Sequence, residues 1–65
     1  MVLKTINNEN FNLSMKLDIN YELEYINILV ILDNLQNKKR QMKHFHGNEF
    51  SEALNQYKLW KTFIF

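Results

Sequence analysis

Ile26-Asn27-Ile28-Leu29-Val30-Ile31-Leu32 is the stretch on which the fold turns. Asn27 is its one polar residue, so neither the helical period nor the strand period of two stands out against the apolar background. Two readings compete. As a helix, the segment belongs to a longer element over 21–43, capped by Asn20 and carrying Glu22 and Glu24 in a first turn that faces the positive end of the dipole. Lys38, Lys39, Arg40 and Lys43 then fall near its C-terminus, where cations are favoured, and Gly47, the sole glycine, stops it. As a strand, residues 26–32 are a short β-branched run of the kind that periodicity alone cannot assign. The helix is the expectation. Being apolar nearly all round, it would need cover on more than one side, from the rest of the chain or from a second copy.

The flanking segments are easier to read. Phe11, Leu13, Met15, Leu17 and Ile19 alternate with Asn12, Ser14, Lys16 and Asp18, which predicts a half-buried strand over 11–19. Val2 to Ile6 is a shorter strand, and Asn7-Asn8-Glu9-Asn10 is a turn that pairs the two antiparallel. On the other side, Asn48 is a cap, and Phe50, Ala53, Leu54, Tyr57, Trp60 and Ile64 recur at helical spacing with Ser51, Asn55, Lys58 and Thr62 opposite. The predicted fold is therefore α+β, an N-terminal β-hairpin followed by two α-helices (β-β-α-α), with residues 1–65 as one domain.

A chain of 65 residues without cysteine has a small core and no disulfide to support it, so homo-oligomerisation is the expected supplement. Its longest uncharged apolar run, Tyr25 to Leu32, is far below the roughly 20 residues of a membrane span. The polar run 7–10 sits where a signal peptide needs its apolar core, and a cytoplasmic protein is expected. Lys4 and Lys16 against Glu9, Asp18, Glu22, Glu24 and Asp33 make the first 37 residues −3, while six cations against Glu49 and Glu52 make the rest +4. One end of the molecule should carry a positive field.

Chemistry-bearing patterns are scarce. Ser14 and Ser51 have no base set beside them by the sequence, one glycine cannot build a phosphate-cradling loop, and the glutamate pairs read as helix N-terminal acids, so no catalytic residues and no enzyme activity are expected. His44, His46 and Glu49 could in principle contribute zinc ligands, but the set is incomplete and the histidines read more simply as exposed residues; neither metal nor cofactor is expected. Lys38, Lys39, Arg40, Lys43, His44 and His46 are the candidate nucleic-acid-binding cluster, weighed against a solvated helix end. Leu59, Trp60, Phe63, Ile64 and Phe65 are the candidate partner-binding residues, because an aromatic chain end must either dock internally or anchor another protein.

The expected function is thus a small protein-protein interaction module, an inhibitor or adaptor docking on a larger enzyme or complex. A nucleic-acid-binding dimer acting through 38–46 is the alternative. The heavy use of Asn, Lys and Ile fits an AT-rich genome of the phage or mobile-element kind, which would point such an inhibitor at a host defence or regulatory complex.

Overall fold

A computed structural model describes residues 1–65. Four strands, β1 (Val2–Asn7), β2 (Phe11–Asn20), β3 (Tyr25–Asn34) and β4 (Arg40–His46), are followed by a single turn of 3-10 helix (Gly47–Glu49) and the helix α1 (Phe50–Ile64). The strands form one antiparallel meander in the order β1-β2-β3-β4. The architecture is β-β-β-β-α, which corrects the β-β-α-α expectation: the predicted helix over 21–43 is the β2-β3 turn, the whole of β3, the β3-β4 connection and the first residues of β4. The hairpin of β1 and β2 and the C-terminal helix lie where the sequence pattern puts them.

The strand reading of 26–32 prevails because β3 is a central strand. It pairs along its whole length with β2, Leu13 opposite Leu32 and Leu17 opposite Ile28, and on its other side with β4, Ile28 opposite Phe45 and Asp33 opposite Arg40. β-branched side chains fit such a pleated, doubly flanked position better than a helix interior. Asn20 does offer its side chain to a backbone amide three residues on, as a cap would, but the Asn20 Oδ1 accepts from Leu23 N–H at 2.9 Å inside a tight turn. The other turns use the same device. Asn8 Oδ1 accepts from the amides of Asn10 and Phe11, both at 2.8 Å, and Asn34 Oδ1 from Gln36 and Asn37 at 3.0 and 3.3 Å. Gly47 does not end a helix. It begins the 3-10 turn, and a Cβ on it would stand 3.0 Å from Ile26 Cβ, so its lack of a side chain lets the junction of β4 and α1 press against β3.

α1 lies across one face of the sheet. Leu13, Met15, Ile28 and Val30 are fully buried beneath it, with Ala53 and Tyr57 as the helix's contribution, and Ile6, Phe11, Leu17, Phe45, Leu54, Trp60 and Ile64 pack around them. Ala53, fully buried, puts a small side chain where the helix meets the sheet. The helix starts at the end of the sheet that carries the β2-β3 turn and runs back to the opposite end, where Asn8 Nδ2 donates to the Ile64 carbonyl at 3.2 Å. There Leu35 N–H also donates to the Asn10 carbonyl at 2.8 Å, tying the other two turns together. The molecule is 37 Å long and 21 by 15 Å across, with two unlike poles. No helix is long and apolar enough to cross a membrane.

Candidate functional site at the β2-β3 turn

The pole beyond the start of α1 is the part of the surface least explained by folding. Its core is the turn 21–24 between β2 and β3. Tyr21 is 84% exposed and Leu23 68%, and Ile19, Tyr25 and Ile26 beside them are all substantially exposed. All five belong to the end of the β2-β3 hairpin, where Ile19 pairs with Ile26 on the helix-covered side and Tyr25, opposite Asn20, lies on the other. Turns ordinarily carry Gly, Asn, Asp or Ser. Here two large apolar side chains are displayed at the tip, and Glu24 adopts a left-handed backbone (φ 54°) to close the turn. The Asn20 bond to Leu23 fixes the backbone, so the side chains are presented on a defined loop.

A cleft of about 580 Å³ separates this turn from the β4-α1 junction, lined by Glu24, Tyr25, Ile26, His46, Gly47 and Asn48. The charge around it is of one sign. Asp18, Glu22 and Glu24 belong to the hairpin end, and Glu49 and Glu52 to the start of the helix, with no lysine or arginine among residues 17–26 or 44–57. Glu49 accepts from His46 N–H at 2.9 Å, and this bond is the main reason its carboxyl is held below the usual range. Glu52 is pushed the other way, chiefly by the neighbouring Glu49 carboxylate. The opposite pole carries Lys38 and Lys39 on the β3-β4 turn, Arg40 at the start of β4, and Lys58 and Lys61 towards the end of α1. This polarity runs against the macrodipole of α1, acids at its start and lysines towards its end, and is favourable for it.

The basic cluster 38–46 does not sit at a helix end. Lys38 and Lys39 lie in the β3-β4 connection, with Lys38 in a left-handed conformation (φ 61°). Arg40, His44 and His46 share the sheet face away from the helix, whereas Lys43, opposite Val30, projects on the helix side. Arg40 is further tied to Asp33, its cross-strand neighbour, at 2.6 Å, which pushes the guanidinium pKa up. The His44 and His46 rings are 6.1 Å apart, edge to face. No group of three or more histidine, cysteine, aspartate or glutamate side chains is placed to hold a metal.

The aromatic set 59–65 also divides. Trp60 and Ile64 are half-buried against the core, while Leu59 (50% exposed), Phe63 (78%) and Phe65 (46%) face outwards. Leu59 and Phe63, four residues apart, form a second and smaller apolar surface on α1. The turn at 21–24 escaped the sequence reading because the helix assignment absorbed it. The available signal was the pair Asn20 and Asn34, spaced as two turn openers flanking one strand. Comparison with protein-family models, with curated proteins and with solved structures found no match for this chain.

Proposed function

We propose that this protein is a non-enzymatic protein-protein interaction module that docks through its aromatic turn, acting in the cytoplasm as an inhibitor or adaptor on a larger protein. The observation that carries the reading is the display of Tyr21 and Leu23 at 84% and 68% exposure on a turn whose backbone is fixed. Exposed aromatic and aliphatic anchors on a preorganised loop lose little entropy on docking, and such side chains dominate binding energy when they enter a pocket. The five carboxylates around the turn favour a basic surface on the partner.

Affinity capture from lysate of the source organism, with the wild-type chain against a Tyr21→Ser/Leu23→Ser variant, tests the reading. Both positions are outside the core, so the variant keeps the wild-type circular dichroism and melting temperature. The expected result is a partner retained by the wild type and lost by the folded variant. A partner retained equally by both overturns the assignment of the turn, and Leu59→Ser/Phe63→Ser in the same assay shows whether the outer face of α1 carries it instead.

A further inference from the structure

The sheet face away from α1 is not a plain solvated surface. Its side chains form rows set by the strand register: Val2, Lys16, Leu29 and His44 in one, Thr5, Ser14, Ile31 and Met42 in the next, then Asn12, Asp33 and Arg40. Within this array lies a cleft of about 280 Å³ between Thr5, Asn12, Ser14, Lys16, Ile31 and Arg40. Ser14 is only 5% exposed and lines this cleft, and its hydroxyl makes no hydrogen bond within the protein. The residue is nearly buried, but its hydroxyl is not sealed off: no buried side-chain polar atom in the protein lacks a partner, so the Ser14 oxygen opens onto the cleft, free to bond whatever occupies it.

The remaining polar groups of the cleft are unbalanced towards donors. Asn12 Oδ1 accepts from Thr5 Oγ1 at 3.4 Å, which leaves the Asn12 amide nitrogen to donate outwards. Asp33, the one carboxylate, has each of its oxygens engaged by Arg40, at 2.6 and 3.4 Å from Nε and Nη2. The Nη1 hydrogens of Arg40 make no bond within the protein, and Lys16 has no ion pair. Residues with hydroxyl, amide, ammonium and guanidinium donors thus line one cleft together with the apolar Ile31. We propose that this cleft is a binding site for a small phosphate ester, the phosphate between Lys16 and Arg40 with Ser14 and Asn12 donating to it, and the organic body lying on Ile31. Only an acceptor-rich anion satisfies these donors together, and charge-assisted bonds to phosphate are the strongest the set can make. The site is separate from the aromatic turn, and the proposal stands whether or not the docking reading does.

The test is an amide chemical-shift titration of the full chain with adenosine monophosphate, with inorganic phosphate, and with the single-stranded octamer of thymidylate, at about 50 mM salt, where phosphate contacts are not screened out. Saturable shifts at Ser14, Lys16, Ile31 and Arg40, with a Kd of order 1 mM or tighter for the nucleotide, are expected. Lys16→Gln weakens binding about 10-fold and Ser14→Ala about 3-fold, whereas Lys38→Gln/Lys39→Gln leaves it within about 2-fold, as loss of a charge-assisted bond, a neutral bond and no bond require. Inorganic phosphate binding as well as the nucleotide restricts the site to the phosphate itself. An octamer that binds more tightly than its number of phosphates accounts for makes nucleic acid the source of the phosphate; one that binds no better makes it a free ester. No saturable shift at 10 mM nucleotide, shifts centred on Lys38, Lys39, Lys58 and Lys61, or unchanged affinity in both Lys16→Gln and Ser14→Ala overturns the proposal.

Discussion

Gly47→Ala is the substitution whose effect follows most directly from the packing. The backbone at Gly47 is not left-handed, so alanine meets no conformational penalty there. The obstacle is space: the new Cβ would stand 3.0 Å from Ile26 Cβ, 3.2 Å from its Cγ2 and 3.3 Å from its carbonyl oxygen. Two of those three atoms are fixed by the pairing of Ile26 with Ile19, so rotation of the isoleucine side chain cannot clear the contact. Overpacking of this kind costs about 1–3 kcal/mol. Reduced freedom of the unfolded chain returns about 0.4–1 kcal/mol. The net expectation is a loss of about 1–2 kcal/mol, against a total of about 3–10 kcal/mol for a chain of this length. In melting temperature that is a fall of roughly 5–15 °C. Urea denaturation should show a lower midpoint with an unchanged slope, since the surface exposed on unfolding stays the same. In an Ile26→Ala background, which removes the Cγ2 atom, the penalty should shrink without vanishing. A Gly47→Ala variant as stable as the parent, or more so, would refute the close approach of the β4-α1 junction to β3.

Met15→Ala, which empties a fully buried position between β2 and α1, should cost about 2–5 kcal/mol and leave the protein largely unfolded at 37 °C, as followed by circular dichroism. Lys38→Gly relieves a left-handed backbone at a lysine and should raise stability by up to about 1 kcal/mol in the same urea assay. Asn20→Ala removes the acceptor for Leu23 N–H and should cost about 1 kcal/mol, with faster hydrogen exchange confined to residues 21–24. Glu52 has a folded-state pKa above its unfolded one, so its contribution is most favourable at low pH and declines as pH rises through the carboxylate range. Glu52→Gln should therefore gain on the parent between pH 3 and pH 7 in thermal melts.

The alternation of Phe11 to Ile19 was readable because β2 contributes its apolar residues to the helix-covered face and polar ones, Asn12, Lys16 and Asp18, to the other. β3 hides the same geometry. Leu29 and Ile31 on the uncovered face are as apolar as Ile28 and Val30 on the covered one, which erases the period of two. Asn20 is ambiguous for a chemical reason, since an asparagine oxygen accepting from an amide three residues later serves a helix cap and a turn alike. The β3-β4 connection has no glycine or proline to announce it, because Lys38 takes the left-handed position. α1 was legible from Ala53, Tyr57 and Trp60, whose spacing matches their burial. The aromatic turn was not, because Tyr21 and Leu23 suit the apolar side of a helix as well as they suit a docking loop. Nor could the cleft around Ser14 be foreseen, as it exists only where Thr5, Ser14 and Ile31 are brought side by side by three strands.

The central claim, that the turn between β2 and β3 is the docking surface, is tested most directly by photo-crosslinking from single positions. A photoreactive residue is placed at Tyr21, at Lys39 on the opposite pole, or at Phe63 on the outer face of α1, and each protein is irradiated in lysate of the source organism. The expected result is a discrete adduct from position 21, competed away by excess wild-type protein but not by the folded Tyr21→Ser/Leu23→Ser variant. An adduct that forms only from position 39 or 63, or one that the variant competes for as well as the wild type does, contradicts it.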